Sequence, residues 1–145
     1  MTTFNFTPSA HKNAGIAIEW GICEHFHIER TAHDHVAYNK GSDVECGDLH
    51  MSVKSARFSL ISSSLCCGET TFDGIWNVYA ENVHSNRFVY GTKDGKAYMM
   101  NLDEFKSFVY EFCGLQTESE KNGGGVKIRC GHETKKMLKW LEDRA

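Results

Sequence analysis

Residues 43–54, DVECGDLHMSVK, set acids, a histidine, a hydroxyl and a lysine among apolar neighbours in strict alternation. Val44, Cys46, Leu49, Met51 and Val53 are apolar, while Asp43, Glu45, Asp48, His50, Ser52 and Lys54 are polar, and the parity switches at Gly47-Asp48. Alternation marks strands with one wet face, and a Gly-X pair between two such runs suits a two-residue hairpin turn. With Gly47 and Asp48 as the loop, Asp43 lies opposite Ser52, Glu45 opposite His50 and Val44 opposite Met51. One hairpin face then carries Asp43, Glu45, His50, Ser52 and Lys54. A carboxylate and a lysine, with a further acid or hydroxyl within one or two pleats, suit a hard cation and a positioned water. Magnesium takes one or two carboxylates and keeps waters, one of which can attack a phosphodiester. The lysine would orient or deprotonate that water and offset charge building on the phosphate.

Two other groups of residues invite a chemical reading. Cys23-x-His25-x-His27, His33-Asp34-His35 and Cys130-x-His132 offer imidazole and thiolate donors for a zinc-stabilised domain, although no recognised ligand spacing joins them. The six cysteines include no Cys-x-x-Cys pair, and Cys66 and Cys67 are adjacent, so reduced thiols serving as small core residues are expected. The second group is basic. Residues 1–50 hold three Lys/Arg against seven Asp/Glu, whereas Lys121, Lys127, Arg129, Lys135, Lys136 and Lys139 face one acid, Glu133, between 121 and 139. Lys127 and Arg129 alternate with Val126, Ile128 and Cys130 on an expected strand, and Lys135, Lys136 and Lys139 follow on an expected helix. Such a face suits backbone phosphates, with the Arg30–Lys40 loop, Lys40 included, as a further nucleic-acid contact. The plainer reading of the basic run is a solvated helix face.

The elements that must position these residues are legible in part. Ile16, Trp20, Cys23 and His27 form a helical stripe over residues 12–28. Residues 59–74 carry no clear pattern. IWNVYAENV (75–83), RFVYGTK (87–93) and KAYMM (96–100) read as strands, the last two joined by a turn at Lys93-Asp94-Gly95. Asn101 and Glu104 form a helix cap with its reciprocal partner, and Leu102, Phe105, Phe108, Val109 and Phe112 give that helix its buried stripe. A polar loop, QTESEKNGGG, leads to the short strand VKIRC, and HETKKMLKWLEDR closes the chain as a helix with Met137, Leu138 and Leu141 inward.

The chain has 145 residues, 41% of them apolar and 24% charged, with a net charge of −3, which is the composition of one globular domain over 1–145. No apolar run approaches the ~18 residues of a membrane-spanning helix. The N-terminus lacks a basic start followed by an apolar stretch, so an intracellular, cytoplasmic protein is expected. Neither Gly-x-Ser-x-Gly nor a Cys followed five residues later by Arg is present, which disfavours serine and cysteine nucleophiles.

Asp43-Val44 followed by Met51-Ser52-Val53-Lys54-Ser55 resembles the signature of the PD-(D/E)XK nucleases, an acid on one strand and acid-x-Lys on the next. The local likeness covers residues 37–58, and the element order is similar to that superfamily's core of helix, three strands, helix and strand. The resemblance implies an α/β (α+β, mixed-sheet) fold with a restriction-endonuclease-like core: a helix, three or more antiparallel strands, a helix, a strand and a helix. It implies Asp43 as the metal-binding acid and Lys54 as the motif lysine. Ser42 stands where the family has proline, and Ser52 where it has the second acid. Glu45, Glu69 and Glu19 are the candidates to supply that carboxylate, Glu19 ranking next after Asp43 because a first-helix acid often joins the family's metal site. The implied activity is Mg²⁺- or Mn²⁺-dependent DNA cleavage by a homodimer, of restriction or phage DNA-processing type. A nuclease-like domain that binds DNA or protein without cutting is the alternative.

Overall fold

The computed structural model describes residues 1–30, 43–62, 68–119, 121 and 124–145. Lys40, His33–His35, Cys66 and Cys67 lie outside the described residues. The fold is mixed α+β. In chain order the elements are β1 (Thr2–Asn5), a 3₁₀ turn at Pro8–Ala10, α1 (Ala14–Phe26), β2 (Val44–Cys46), β3 (Leu49–Lys54) and β4 (Ser59–Ser62). Then follow α2 (Phe72–Asn82), β5 (Arg87–Gly91), β6 (Lys96–Met100), α3 (Leu102–Phe112), β7 (Cys113–Thr117), β8 (Val126–Cys130) and α4 (Lys135–Arg144). No helix among the described residues is long and apolar enough to cross a membrane.

The chain divides into two compact units, one of residues Met1–Ser55, His84–Phe105 and Glu133–Ala145, the other of Ala56–Val83 and Lys106–His132. The first unit is built on a five-stranded sheet in the order β1-β6-β5-β3-β2. Its hairpin β2–β3 has the register that the sequence alternation dictates: Val44↔Met51, Glu45↔His50 and Cys46↔Leu49. Gly47 turns the chain at φ +58, the positive value required at the first central residue of a type II′ turn. Strand β3 then pairs with β5 in parallel, with Ser52↔Phe88 and Lys54↔Tyr90, whereas an antiparallel set was expected. Parallel neighbours need a long crossover, and the chain makes it through β4 and α2.

Alternation sends Val44 and Met51 with Val89, Ala97 and Met99 to the α1 side, where they form a core with Phe4, Ile18 and Ile22. On the opposite side Phe88 stacks on Phe105 with ring centroids 4.3 Å apart, and Tyr90 Oη lies 3.9 Å from Met137 Sδ of α4. Helix α1 starts at Asn13, whose side chain accepts from the Ile16 N–H at 3.2 Å, and stops at His27 in the left-handed conformation. The Ile28 N–H then returns to the Cys23 carbonyl at 2.9 Å, as in a Schellman ending. The buried face of α1 is Ala17, Ile18, Gly21, Ile22 and Cys23, not the stripe Ile16, Trp20, Cys23, His27. The purely aliphatic and small residues go inward, and Trp20 stays at the margin, edge-on to His11 and under the Arg30 guanidinium.

The second unit holds the three-stranded sheet β4-β8-β7, with α2 packed on β4 and β8. Residues 75–83, expected as a strand, lie in α2 apart from the cap residue Val83. Ile, Val, Trp and Tyr give the segment strand composition, but Phe72, Ile75, Trp76 and Tyr79 recur at helical spacing, and Thr71 caps the start by accepting from the Gly74 N–H at 3.0 Å. The segment read as a loop after α3 is in part β7, which pairs antiparallel with β8 and sets Cys113 opposite Cys130. At α3 the expected cap forms in both directions: Glu104 N–H to Asn101 Oδ1 at 2.8 Å and Asn101 N–H to Glu104 Oε1 at 3.0 Å.

Gly21 is where α1 meets Phe6, and a Cβ there would collide with Phe6 Cβ. Gly21→Ala is therefore expected to lower the unfolding free energy by about 1–3 kcal/mol, as overpacking of a filled contact does. Urea denaturation checks this, and an unchanged midpoint would mean that Phe6 yields freely.

Candidate functional site

The Asp43 backbone enters the sheet one residue before β2, its N–H donating to the Met51 carbonyl at 2.8 Å. That pairing brings the carboxylate back over β3, where Oδ2 accepts from the Val53 N–H at 2.7 Å. A backbone donor fixes the direction in which the carboxylate points. Lys54, the next residue on β3, feels it. Burial pushes the Lys54 ammonium below its ordinary pKa, and the charge of Asp43 opposes the shift without cancelling it. Ser52, opposite Asp43 in the hairpin register, is buried and pairs with Phe88 across the parallel ladder. The structure thus brings together the first acid, the serine and the lysine singled out in the sequence.

Glu45 goes elsewhere. Its Oε1 lies 3.0 Å from His50 Nδ1 and 3.4 Å from His84 Nε2, and the two imidazoles stand 4.5 Å apart between ring centroids. The hydrogen bond with His50 is the main reason the Glu45 carboxyl sits below its usual range; desolvation opposes it, and the charge of His50 and the contact with His84 add to it. One donor or acceptor atom from each of the three residues lies within 4.8 Å of the others. Asn86 ties the two segments together. Its side-chain oxygen accepts from the His50 N–H at 2.9 Å, its amide donates to the Asp48 carbonyl at 2.7 Å, and its own N–H donates to the His50 carbonyl at 2.9 Å.

The other candidates are dispersed. Glu19 is half-buried on α1, one residue after Ile18 of the core, and its charge helps to raise the pKa of the Cys23 thiol behind the larger effect of burial. Glu69 belongs to the second unit, where its carboxylate lies over Gly74 in the first turn of α2, a favourable end of the helix dipole for an anion. Lys127 and Arg129 are half-buried on β8 in the second unit, Lys127 paired to Glu118 at 3.0 Å and Arg129 Nη1 lying 3.5 Å from Ser59 Oγ. Lys135, Lys136 and Lys139 are exposed on α4 in the first unit, and Lys139 pairs with Asp143 at 3.5 Å.

The Cys-x-His set has structural duties: Cys23 is in the core, His25 stacks on Phe4 at 4.6 Å, and His27 ends α1. His84 is the residue that sequence reasoning missed. Its segment follows a stretch read as strand, and no motif marks it. No family model, curated protein or solved structure matches the chain.

At Lys54 the effect of burial outweighs the charge of Asp43, and substitution by methionine tests how far the fold relies on the ammonium. Lys54→Met is expected to change the unfolding free energy by less than about 1 kcal/mol. Breaking a buried pair that the fold relies on would instead cost roughly 3–5 kcal/mol. A thermal or urea melt separates these cases, and a loss of the larger size would make Asp43–Lys54 a structural ion pair.

Proposed function

We propose that the chain is a metal-dependent phosphodiester hydrolase acting on DNA, with Asp43 and Lys54 as its working pair. The observation that carries this reading is a lysine whose ammonium is disfavoured by burial and feels the charge of a carboxylate anchored on the Val53 N–H. A depressed pKa makes the neutral amine more available to take a proton from an attacking water, and the protonated form can then face the charge that develops on phosphate. Asp43 keeps one oxygen on the backbone, which fixes the direction in which the other points. Ser52 contributes a hydroxyl and no charge.

The donor set at Asp43 suits Mg²⁺ or Mn²⁺ held by one protein carboxylate with waters and substrate oxygens. Such a cation would supply Lewis-acid polarisation of the phosphate when bound. The basic residues support an anionic partner. Lys135 and Lys136 occupy the first turn of α4, where the helix dipole disfavours cations and an anion would offset their charge. Lys127, Arg129, Lys139 and Lys40 would add backbone contacts. Double-strand cutting by a chain of this size would call for a homodimer, and the expected setting is the cytoplasm, in a host or phage DNA-processing system. The second reading is a DNA- or protein-binding module of the same fold, favoured by the neutral Ser52 where a second acid would stand.

Supercoiled plasmid DNA incubated with Mg²⁺ or Mn²⁺ is expected to be nicked or linearised by the wild type. Cleavage should fall by about 10²–10⁴-fold in Lys54→Ala, the range spanned by loss of a general acid–base group, and be abolished in Asp43→Ala. A wild type inert on duplex, single-stranded and branched DNA would overturn the hydrolase and leave the binding module.

A further inference from the structure

The Glu45–His50–His84 cluster stands apart from the Asp43–Lys54 pair in donor chemistry, and its inference does not rest on nuclease activity. Two imidazoles and one carboxylate are a poor set for Mg²⁺, which prefers oxygen donors, but a good one for a borderline first-row dication. We propose that Glu45, His50 and His84 form a zinc site.

The geometry argues for it as well as the donor types. Zinc bonds imidazole nitrogen and carboxylate oxygen at about 2.0–2.2 Å, which puts neighbouring donors of a tetrahedron roughly 3.3–3.5 Å apart. Glu45 Oε1 is 3.0 Å from His50 Nδ1 and 3.4 Å from His84 Nε2. The two histidine nitrogens lie within 4.8 Å of each other, and rotation of the exposed His84 side chain closes the remainder. Without a metal, one carboxylate oxygen serves two ring nitrogens; with zinc, all three atoms point at one centre.

The support is already in place. Asn86 holds the His50 backbone on both its N–H and its carbonyl, and stands two residues after His84, so it fixes the spacing between the two histidine-bearing segments. Preorganisation of this kind is what turns scattered donors into a site. Three protein ligands leave at least one tetrahedral position for water or another small ligand, the arrangement of open zinc centres.

Chelator-treated protein titrated with Zn²⁺ against a chromogenic competitor tests the assignment. One equivalent should bind, with affinity reduced at least about tenfold in each of Glu45→Gln, His50→Gln and His84→Gln, the least that even an outer-shell change typically costs. Asp43→Asn should bind as the wild type does. His84 is exposed, so His84→Gln gives up the contact with the His50 ring and leaves the core intact, and circular dichroism confirms that each variant is folded. Co²⁺ in place of zinc should give a visible spectrum without thiolate charge-transfer bands. No saturable binding would leave the cluster a carboxylate–imidazole hydrogen-bond network. Binding unchanged in the three variants, or a thiolate signature, would place the metal on cysteines, and either result overturns the proposal. Retained plasmid cleavage in a variant that has lost zinc would leave the hydrolase reading untouched.

Discussion

Everything of chemical interest in the first unit depends on the period-two alternation of β3. Met51 and Val53 face the α1 side, and burying Met51 completely fixes the strand's rotation. His50, Ser52 and Lys54 must then appear together on the other face. A one-residue slip would exchange the faces, burying the polar set and exposing the apolar one, so core packing and site geometry are the same constraint. The neighbours reinforce it from both sides. Gly47 sets the antiparallel register with β2, which delivers Asp43 and Glu45, and the parallel ladder with β5 delivers Asn86 and His84 just ahead of Arg87.

That division also explains what could be read in advance. The hairpin was legible because its signals are local: alternation, a parity switch and a glycine at the turn. The Asn101/Glu104 cap was legible for the same reason, its partners being three residues apart. Residues 75–83 have the aromatic and β-branched composition of a strand, but the helical spacing of Phe72, Ile75, Trp76 and Tyr79 and the Thr71 cap prevail. On α1 the helix was right and its face was wrong. Gly21 and Ala17 belong to the buried side because close approach needs small residues, which hydrophobic counting does not reward. His84 could not be found at all from spacing, since its nearness to Glu45 arises from a parallel pairing across the 52–88 register.

The candidate site therefore divides along the same line. Asp43 and Lys54 were visible because both belong to one hairpin, and the hydrogen bond from Val53 to Asp43 is a consequence of its register. What the alternation does not reveal is the environment of each polar residue. Glu45 and Asp43 occupy the same strand face, yet one ends on a backbone N–H beside a lysine and the other between two imidazoles. The difference comes from depth: Asp43 lies next to the half-buried end of β3, and Glu45 is exposed near the turn.

Depth also decides which charges the fold tolerates and for what reason. An exposed Glu45 with two histidines needs no special account in terms of stability, because water screens all three. Lys54 is different. A methionine of similar length would fill the same space without the desolvation penalty that depresses the ammonium, a penalty that the charge of Asp43 opposes. Side chains held against their solvation preference are enriched at functional sites, and structural ion-pair networks hold them as well. Asp43 and Lys54, rather than the exposed Glu45 cluster, are therefore the residues on which the hydrolase proposal stands.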